Sequence, residues 1–348
     1  MIKIANKIIS KSHKPFIIAE MSGNHNQSLE RAYEIVDAAA ATGADALKLQ
    51  TYTADTMTLD RSDNEFFIED KNSLWKGESL YNLYKKAYTP WEWHKPIIER
   101  CNQKGILCFS TPFDLSSVQF LEELNMPAYK IASFENIDLP LIRAVAKTGK
   151  PIIVSTGMAT VSEIYDIVET IRSEGNEQFV LLKCTSTYPA TPENTNIITI
   201  PHMRELFHCE VGLSDHTMGV GVAVASIALG ATVVEKHFTL SRADGGVDSA
   251  FSLEPKELDD LVKETERAWK SVGSVSYGPT EAEKKSLVYR RSIYISKDVK
   301  VGEIIGPDNV KIIRPGLGLA PKYYDILIGR KFKKDCSLGT PLVWDLVS

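Results

Sequence analysis

The sequence predicts an α/β fold in which a (β/α)8 barrel is followed by a small C-terminal domain. Three observations predict the barrel. Eight short apolar runs recur up to about residue 240, the stretches between them read as helices, and nearly every run ends in polar or charged side chains. Parallel strands buried on both faces have this pattern, and the chemistry of such barrels gathers at the carboxyl ends of the strands. We therefore expect the polar endings to form one ring around one mouth.

The predicted strands and helices alternate along the chain. The strands are FIIAE (16–20), ALKLQ (46–50), ILCFST (106–111), AYKIAS (128–133), PIIVST (151–156), FVLLKCTS (179–186), VGLSDH (211–216) and VVEKHF (233–238). The clearest helical stretches are LERAYEIVDAAAATGADA (29–46), VSEIYDIVETIRSEG (161–175), VGVAVASIALGA (220–231) and LDDLVKETERAWKSVG (258–273). In the first of these, Gly43 predicts the C-terminal end of the helix.

The segment between the second and third predicted strands is about twice the usual length. It contains the aromatic run SLWKGESLYNLYKKAYTPWEWH (73–94). A long insertion after a barrel strand is typical of an active-site loop or lid, and the alternative is an extra helix packed on the barrel.

The chain changes character near residue 278. We expect the barrel domain to span 1–278, a short polar linker 279–288, and a second domain 289–348. In the second domain, YRRSIYIS (289–296), DVKVGEII (298–305), VKIIRP (310–315) and TPLVWDLV (340–347) read as short strands. Because about 60 residues are marginal for an independent core, this domain is expected to lean on the barrel or on a partner subunit.

The composition is that of an ordinary globular protein, with 43% hydrophobic and 24% charged residues. No apolar stretch approaches the ~20 residues of a membrane span, and the N-terminus lacks a secretory signal, so we expect a cytoplasmic protein. The five cysteines are an odd number without CxxC spacing, which predicts reduced thiols rather than disulfides or a thiolate zinc site. The C-terminal domain is basic, but no basic stripe with interleaved aromatics predicts nucleic-acid binding.

Two histidines fall at the ends of the seventh and eighth predicted strands. Strand alternation places Ser214 and His216 on one face, and Glu235 and His237 likewise. The two imidazoles, with Asp215 and Glu235 nearby, can hold one divalent cation whose remaining ligands are water or substrate. The alternative is a hydrogen-bonded pair of rim histidines.

Lysines and hydroxyls at the same mouth predict an anion pocket. Lys48 and Lys130 are inward-facing, and a buried ammonium is costly without an anionic partner such as a bound phosphate or carboxylate. The hydroxyls are those of Thr111, Ser133, Ser155 and Ser214. Hydroxyls supply short hydrogen bonds to an anion, although a single strand-end serine is often only a helix cap.

Three carboxylates complete the predicted ring. Glu20 and Glu135 are candidates for proton transfer or for binding sugar hydroxyls, and either can instead neutralise Lys48 or Lys130. Asp248 lies in the loop GGVDSAFS (245–252), whose glycines allow close approach to a ligand. Its alternative role is that of an ordinary turn aspartate.

Ordered motifs along nearly the whole chain resemble the sialic acid synthase family. They are IAEMSGNHNQS, GADALKLQTY, FSTPFD, YKIAS, IVSTGM, TSTYPATPE, GLSDHT, VEKHFT and IIRPGLGLAPKYYDILIGRK. The resemblance implies a TIM barrel followed by an antifreeze-like (SAF) domain. It also implies an enzyme that condenses phosphoenolpyruvate with an amino-sugar aldehyde, working as a homodimer in which the small domain covers the partner's barrel.

The resemblance also implies roles for individual residues. The metal ligands fall on His216 and His237, with Mn²⁺ or Mg²⁺ as the ion. The phosphoenolpyruvate pocket falls on Lys48, Gln50, Thr111, Lys130, Ser133, Ser155 and Ser214. Ser186 joins it where the family often has an asparagine. The sugar side falls on Glu20, Tyr188, Asp248 and, from the other subunit, Arg314. The catalytic set is Glu20, Glu135, Lys48, His216 and His237.

Three segments resemble the branch of this family that makes pseudaminic acid: MSGNHNQSLERA, LWKGESLYNLYKKAYTPWEWH and TSTYPA. The acceptor implied is 2,4-diacetamido-2,4,6-trideoxy-L-altrose, which is more apolar than N-acetylmannosamine and which an insertion rich in Trp and Tyr is suited to cover. The alternatives are synthesis of N-acetylneuraminate or legionaminate, a Schiff-base aldolase using Lys48 or Lys130, and a sugar-binding barrel without catalysis.

Overall fold

The computed structural model describes residues 1–70 and 73–348, which form two compact units, Met1–Gly273 and Ser274–Ser348. Within the first unit, eight parallel strands close into a barrel, which confirms the predicted fold class. The last barrel strand pairs with the first, with His237 opposite Glu20. This closure brings residues from the two ends of the barrel sequence side by side.

The strands alternate with helices as the sequence predicts. After a short hairpin, β1 (Ile2–Ile4) and β2 (Lys7–Ile9), the barrel strands are β3 (Phe16–Glu20), β4 (Ala46–Thr51), β5 (Leu107–Pro112), β6 (Tyr129–Ile131), β7 (Ile152–Ser155), β8 (Phe179–Cys184), β9 (Glu210–Ser214) and β10 (Val233–His237). The helices of this unit are α1 (Leu29–Ala41), α2 (Ala54–Met57), α3 (Leu80–Ala87), α4 (Trp91–Lys104), α5 (Leu115–Glu123), α6 (Leu139–Ala146), α7 (Val161–Ser173), α8 (Thr199–Phe207), α9 (Gly221–Ala228) and α10 (Pro255–Val272).

The sequence left open whether the insertion between β4 and β5 is an active-site element or an extra helix on the barrel. The structure has an extra helix here, in addition to the regular one, and it lies at the mouth. Helix α4 packs against α1 and β5 as a regular barrel helix. Helix α3 is additional, and its residues Leu80, Leu83 and Tyr84 line the cavity at the mouth of the barrel. The aromatic run therefore supplies one outer helix and one element over the mouth.

The N-terminal hairpin was not predicted from the sequence. Strands β1 and β2 pair in antiparallel fashion, and Ile2, Ile4 and Ile9 are buried in the barrel core. Lys7 Nζ lies 2.8 Å from the carboxylate of Asp45, which precedes β4. The hairpin therefore covers the N-terminal end of the barrel, away from the predicted mouth.

The barrel interior and the strand–helix interface form one apolar core. Its strand residues are almost all fully buried, as expected of a parallel sheet covered by helices. Within the described residues, none of the helices has the length and apolar character needed to cross a bilayer. The five cysteines carry free thiols, and Cys101, Cys108 and Cys184 are buried.

The second unit contains β11 (Ser292–Ile295), β12 (Val310–Ile313) and α11 (Tyr324–Leu327) around a small core of its own. The prediction of strands over 298–305 and 340–347 is wrong. The first segment turns at Gly302, where φ is 85°, and makes only isolated bridges, at Val299 and Ile304. The second ends in a 3-10 turn, Trp344–Leu346. Turn geometry at these points interrupts the alternation that the residue pattern suggests.

Candidate active site

A cavity of about 320 Å³ opens at the carboxyl ends of the barrel strands. Most of the predicted site residues line it: Lys48, Gln50, Lys130, Ser133, Glu135, Ser155, Tyr188, Ser214, His216, His237 and Asp248. Four predicted residues are not among its lining: Glu20, Thr111, Ser186 and Arg314. Side chains from separate strands thus converge on one space, as the predicted ring requires.

Two buried lysines form the floor of the cavity. Lys48 is 4% exposed and Lys130 is 1% exposed. Lys48 Nζ lies 2.7 Å from the carboxylate of Glu20 and 3.3 Å from that of Glu235. Lys130 Nζ lies 3.6 Å from Glu235 and donates a hydrogen bond of 2.7 Å to Ser155 Oγ. The ammonium groups therefore have carboxylate partners in the protein itself.

Glu20 lies behind this floor. Its carboxylate contacts Lys48 and accepts a 2.9 Å hydrogen bond from Gln50 Nε2. The sequence offered two roles for Glu20: proton transfer or sugar binding on the one hand, and neutralising Lys48 on the other. The observed contact with Lys48 favours the second role. Gln50 is held by the same contact, so its amide is oriented at the wall of the cavity.

Burial brings two groups of the cavity close to neutral pKa values. Burial lowers the pKa of Lys48 to about 7, although attraction to Glu235 opposes this change. Burial raises the pKa of Glu135 to about 7, opposed by the charge of Lys130. Glu135 Oε2 is buried without a hydrogen-bond partner in the structure. Groups with pKa values near 7 can exchange protons at physiological pH.

The predicted serines converge around Gly157. The Gly157 N–H donates a 3.1 Å hydrogen bond to Ser133 Oγ. A Cβ atom at this position would lie 2.1 Å from Ser186 Oγ and 2.7 Å from Ser133 Oγ, so any larger residue here would displace both hydroxyls. The buried amide of Asn136 bonds the carbonyl oxygens of Ser155 (3.3 Å) and Gly157 (3.0 Å), which fixes these loops together.

The remaining predicted hydroxyls lie at two depths. Ser214 lines the cavity and donates a 3.3 Å hydrogen bond to Glu235. Thr111 ends up behind the lining, with its Oγ1 buried and without a partner in the structure. Of the four predicted hydroxyls, those of Ser133, Ser155 and Ser214 therefore belong to residues that line the cavity, whereas that of Thr111 does not.

The two predicted metal-ligating histidines are neighbours, with ring centroids 5.4 Å apart. His216 Nδ1 lies 2.9 Å from the carbonyl oxygen of Thr185, so in the neutral imidazole the proton is on Nδ1 and Nε2 has the free lone pair. Burial opposes the charged form of His216, but Cys184 and the Thr185 carbonyl raise its pKa, so an ion at Nε2 competes with a proton. His237 Nδ1 is buried, has no hydrogen-bond partner among residues 1–70 and 73–348, and lies 3.7 Å from Asp248 Oδ2. Burial, then the charge of His216, hold the pKa of His237 well below its ordinary value.

These histidines fit a metal ion whose other ligands come from water or substrate. Histidine binds metals through its neutral imidazole. The buried Nδ1 of His237, which has no hydrogen-bond partner among the described residues, is available to bind an ion. Among residues 1–70 and 73–348, no three His, Cys, Asp or Glu side chains are arranged to hold an ion by themselves. That two histidines supply the protein ligands of such an ion stays a prediction from the sequence.

Aromatic rings surround the histidines. The ring of Tyr188 lies 4.4 Å from that of His216, and Phe251 lies 4.9 Å from His237. Trp75 of the insertion lies 6.2 Å from Tyr188. Tyr188 therefore separates the histidines from the insertion.

Three residues of the site were missed or underrated from the sequence. Glu235 forms ion pairs with both Lys48 and Lys130. The sequence signal that could have indicated this residue is strand alternation, which places Glu235 on the same face as His237. Ser22 donates a hydrogen bond to Asp248 Oδ2 across the mouth. Cys184 Sγ lies 4.0 Å from His216 Nδ1; burial alone would raise its pKa, but His216 and other neighbours lower it to about 7.

Arg314 belongs to the second unit. It is exposed and follows β12, directly before the cis Pro315.

Comparisons with known proteins add to this geometry. The NeuB family matches residues 35–277, and the SAF domain matches residues 290–348. A pseudaminic acid synthase of Campylobacter jejuni is 46% identical over 94% of this chain and 95% of its own length. One from Helicobacter pylori is 40% identical over 95% of this chain and 97% of its own. An N,N'-diacetyllegionaminic acid synthase of Legionella pneumophila is 35% identical over 95% and 94%.

A solved structure has a similar fold. The N-acetylneuraminic acid synthetase of Leptospira borgpetersenii, in complex with citrate, superposes with a TM-score of 0.74 at 32% identity. The match covers 83% of this chain and 95% of that structure.

Proposed function

The chain belongs to the NeuB family, and from that premise we propose that it makes pseudaminic acid. In the proposed reaction it condenses phosphoenolpyruvate with 2,4-diacetamido-2,4,6-trideoxy-L-altrose and releases phosphate. The relatives with 40% and 46% identity, matched over nearly their whole length, are pseudaminic acid synthases, which places the chain among the transferases that form nonulosonic acids.

The observation that carries this proposal is the floor of the cavity. Lys48 and Lys130 present ammonium groups beside the hydroxyls of Ser133 and Ser155, within one space that also contains His216. Cations with hydroxyl donors bind phosphate and carboxylate groups strongly, and phosphoenolpyruvate carries both. Glu20 and Glu235 pair with these lysines in the protein itself, so an anionic ligand is supported by the lysines together with the serine hydroxyls that line the same space.

We propose that His216 and His237 hold a divalent ion, Mn²⁺ or Mg²⁺. The ion would polarise the aldehyde oxygen of the acceptor as a Lewis acid. The free Nε2 of His216 and the unpartnered Nδ1 of His237 support this assignment.

The chain's own residues then order the reaction. Lys48, Lys130 and the serines hold the phosphorylated enol with its methylene carbon facing the acceptor aldehyde, so that the new C–C bond forms between them. Bond formation leaves positive charge at C2 of the enol, where water adds. The tetrahedral intermediate then releases phosphate by cleavage of the C–O bond at C2.

Glu135 is placed to exchange a proton during these steps. Its carboxyl lines the cavity and has a pKa of about 7, so it can accept the proton of the attacking water and return one. Asp248, held by Ser22, orients acceptor hydroxyls at the mouth. Glu20 maintains Lys48 and Gln50 in position from behind.

We further propose the quaternary arrangement that the resemblance implies. Each chain would consist of a barrel, residues 1–278, joined by the linker 279–288 to the small domain 289–348. In the homodimer, the small domain of each chain would cover the barrel of its partner. Arg314 would then contribute a cation to the acceptor end of the partner's site. The exposure of Arg314 in the second unit is compatible with this role. We also propose that the enzyme is located in the cytoplasm.

Phosphate release measured with three acceptors tests the proposal. The acceptors are the L-altrose derivative, N-acetylmannosamine and the diacetamido analogue with the D-manno configuration. We expect the highest kcat/KM with the L-altrose derivative; a preference for either of the others would assign the chain to another branch. Borohydride trapping with pyruvate and retained activity in EDTA would instead identify a Schiff-base aldolase.

Labelled bridging oxygen gives an independent test of the C–O cleavage. With ¹⁸O between C2 and phosphorus of phosphoenolpyruvate, the label should leave with phosphate. Retention of the label in the keto acid would exclude this route.

A further inference from the structure

The cavity has two chemically different ends. Its floor carries the lysines, serines and histidines described above, whereas its outer wall is apolar. We call this wall the roof and define it as Trp75, Leu80 and Leu83 of the insertion together with Val247 of the loop after β10. Met57 and Ile68 extend it. A substrate that spans the cavity must therefore be polar at one end and apolar at the other.

The roof is fixed in place by hydrogen bonds to neighbouring loops. Trp75 Nε1 donates a 2.8 Å hydrogen bond to the carbonyl oxygen of Val247. Gln27 Nε2, from the loop after β3, donates to the carbonyl oxygens of Lys86 (3.0 Å) and Tyr88 (2.7 Å) at the end of α3. These bonds tie the segments 21–32 and 74–94 to each other, so a preformed surface faces the cavity.

Gly23 allows this close packing. A Cβ atom at this position would lie 2.4 Å from Val247 Cγ2 and 3.1 Å from Ala87 Cα. The loop after β3, helix α3 and the Val247 loop therefore meet at a point that only a glycine can occupy. The roof is built by segments from three different parts of the barrel sequence.

The floor and the roof come from different levels of the barrel: the lysines and histidines of the floor lie on the strands or at their carboxyl ends, whereas Trp75, Leu80 and Leu83 come from the insertion after β4. The ring centroid of Tyr188 lies 4.4 Å from that of His216 and 6.2 Å from that of Trp75. In the proposed function the aldehyde carbon must reach the enol at the floor. The opposite end of the open-chain acceptor, its C6 end, must then point away from the floor and meet the roof.

We propose that the roof is the specificity subsite for the C6 end of the acceptor, and that it selects a 6-deoxy sugar, whose methyl group it buries, over a 6-hydroxy sugar. This inference rests on the proposed function and names the group that Trp75, Leu80, Leu83 and Val247 recognise. A methyl group at C6 gains apolar contacts there. A hydroxyl group at C6 loses its bonds to water, and the one polar side-chain group of these four residues, the indole N–H of Trp75, is already bonded to the carbonyl oxygen of Val247.

The size of the discrimination follows from the chemistry of apolar pockets. Such pockets reject an analogue that carries one added hydroxyl only modestly, on the order of 10- to 100-fold in kcat/KM. Supplying a hydrogen-bonding group within the roof should reduce that ratio, because the hydroxyl would then have a partner.

A matched pair of acceptors tests the subsite. They are 2,4-diacetamido-2,4,6-trideoxy-L-altrose and the same sugar with a hydroxyl at C6. For the wild type, Leu83→Asn and Leu83→Ala, kcat/KM with each acceptor and the KM for phosphoenolpyruvate are measured by phosphate release. Leu59→Ala is the control, since Leu59 lies in the same insertion, is 62% exposed and does not line the cavity.

We expect the wild type and Leu59→Ala to prefer the 6-deoxy acceptor by on the order of 10- to 100-fold. Leu83→Asn should lower this ratio about tenfold and raise kcat/KM for the 6-hydroxy acceptor in absolute terms, with an unchanged KM for phosphoenolpyruvate. Damage to the fold alone would lower both rates and leave the ratio as it was. Leu83→Ala, which introduces no polar group, should lower use of the 6-deoxy acceptor.

Two results overturn the inference while leaving the proposed function intact: a wild type that uses both acceptors equally, or an acceptor ratio that neither Leu83 variant changes. If Leu83→Asn does not fold, the ratio in Leu83→Ala decides. Failure of the wild type to release phosphate with either acceptor would refute the proposed function itself, and the inference with it.

Discussion

Replacing Glu235 by Gln removes the one carboxylate that contacts both buried lysines while keeping the size of the side chain. The carboxylate lies 3.3 Å from Lys48 Nζ and 3.6 Å from Lys130 Nζ. At an effective dielectric constant of about 20, each pair contributes about 5 kcal/mol of attraction. Removing one partner of a buried pair costs about 3 to 5 kcal/mol of the free energy of unfolding. Because Lys48 keeps Glu20 at 2.7 Å and Lys130 keeps its hydrogen bond to Ser155 Oγ, we expect a loss of about 3 kcal/mol, the low end of that range.

The loss should depend on pH in a defined direction. The pKa of Lys48 is about 7 in the folded protein, against an ordinary value of 10.5. Between these values the unfolded chain binds more protons, so through Lys48 the stability of the wild type rises with pH from about 7. In Glu235→Gln the pKa of Lys48 falls further. The penalty is therefore largest below pH 7 and shrinks above it, where Lys48 is neutral in both folded proteins.

Urea unfolding followed by circular dichroism at pH 6 and pH 8.5 measures this effect as a shift in midpoint at constant slope. The control is Asp259→Asn, which breaks the exposed pair with Lys263 (2.7 Å) and should cost much less, because solvent screens exposed pairs. The reasoning is refuted if Glu235→Gln costs no more than this control, or if its penalty grows as the pH is raised.

Four further predictions concern the site and the second domain. His237→Ala should abolish phosphate release and lower the amount of Mn²⁺ retained per chain in equilibrium dialysis; undiminished retention would remove this histidine from the metal site. Glu135→Gln should lower kcat by about 10²- to 10⁴-fold and remove the contribution of Glu135 to the pH profile near pH 7, leaving that of Lys48; an unchanged kcat and pH profile would exclude Glu135 from proton transfer. Gly157→Ala should raise the KM for phosphoenolpyruvate and cost about 1 to 3 kcal/mol of stability, since its Cβ would clash with the hydroxyl of Ser186; unchanged kinetics and unfolding would contradict the packing described. Arg314→Ala should raise the KM for the acceptor more than that for phosphoenolpyruvate, and equal effects on both would argue against its placement at the partner's site.

The barrel strands and many residues of the site could be predicted because their signals are local. A strand buried on both faces is a short apolar run, and its carboxyl end is where the run stops. Lys48, Lys130 and His216 lie at or near such ends, so the fold class alone predicted that they would share one mouth. The pattern failed where turn geometry decides the structure, as at Gly302 in the second unit.

What the sequence by itself determined is therefore the order of strands and helices and the set of polar groups delivered to one rim. The tertiary structure alone decided which of these groups touch. Glu235, on the last barrel strand, contacts both lysines because the barrel closes with β10 beside β3. Glu20 contacts Lys48 because β3 and β4 pair with these two residues opposite each other. Gln27 bonds the carbonyl oxygen of Tyr88, just after α3, because the loop after β3 packs against a segment about 60 residues later in the chain. Contacts of this kind depend on the spacing and rotation of elements far apart in the chain, which no local periodicity encodes.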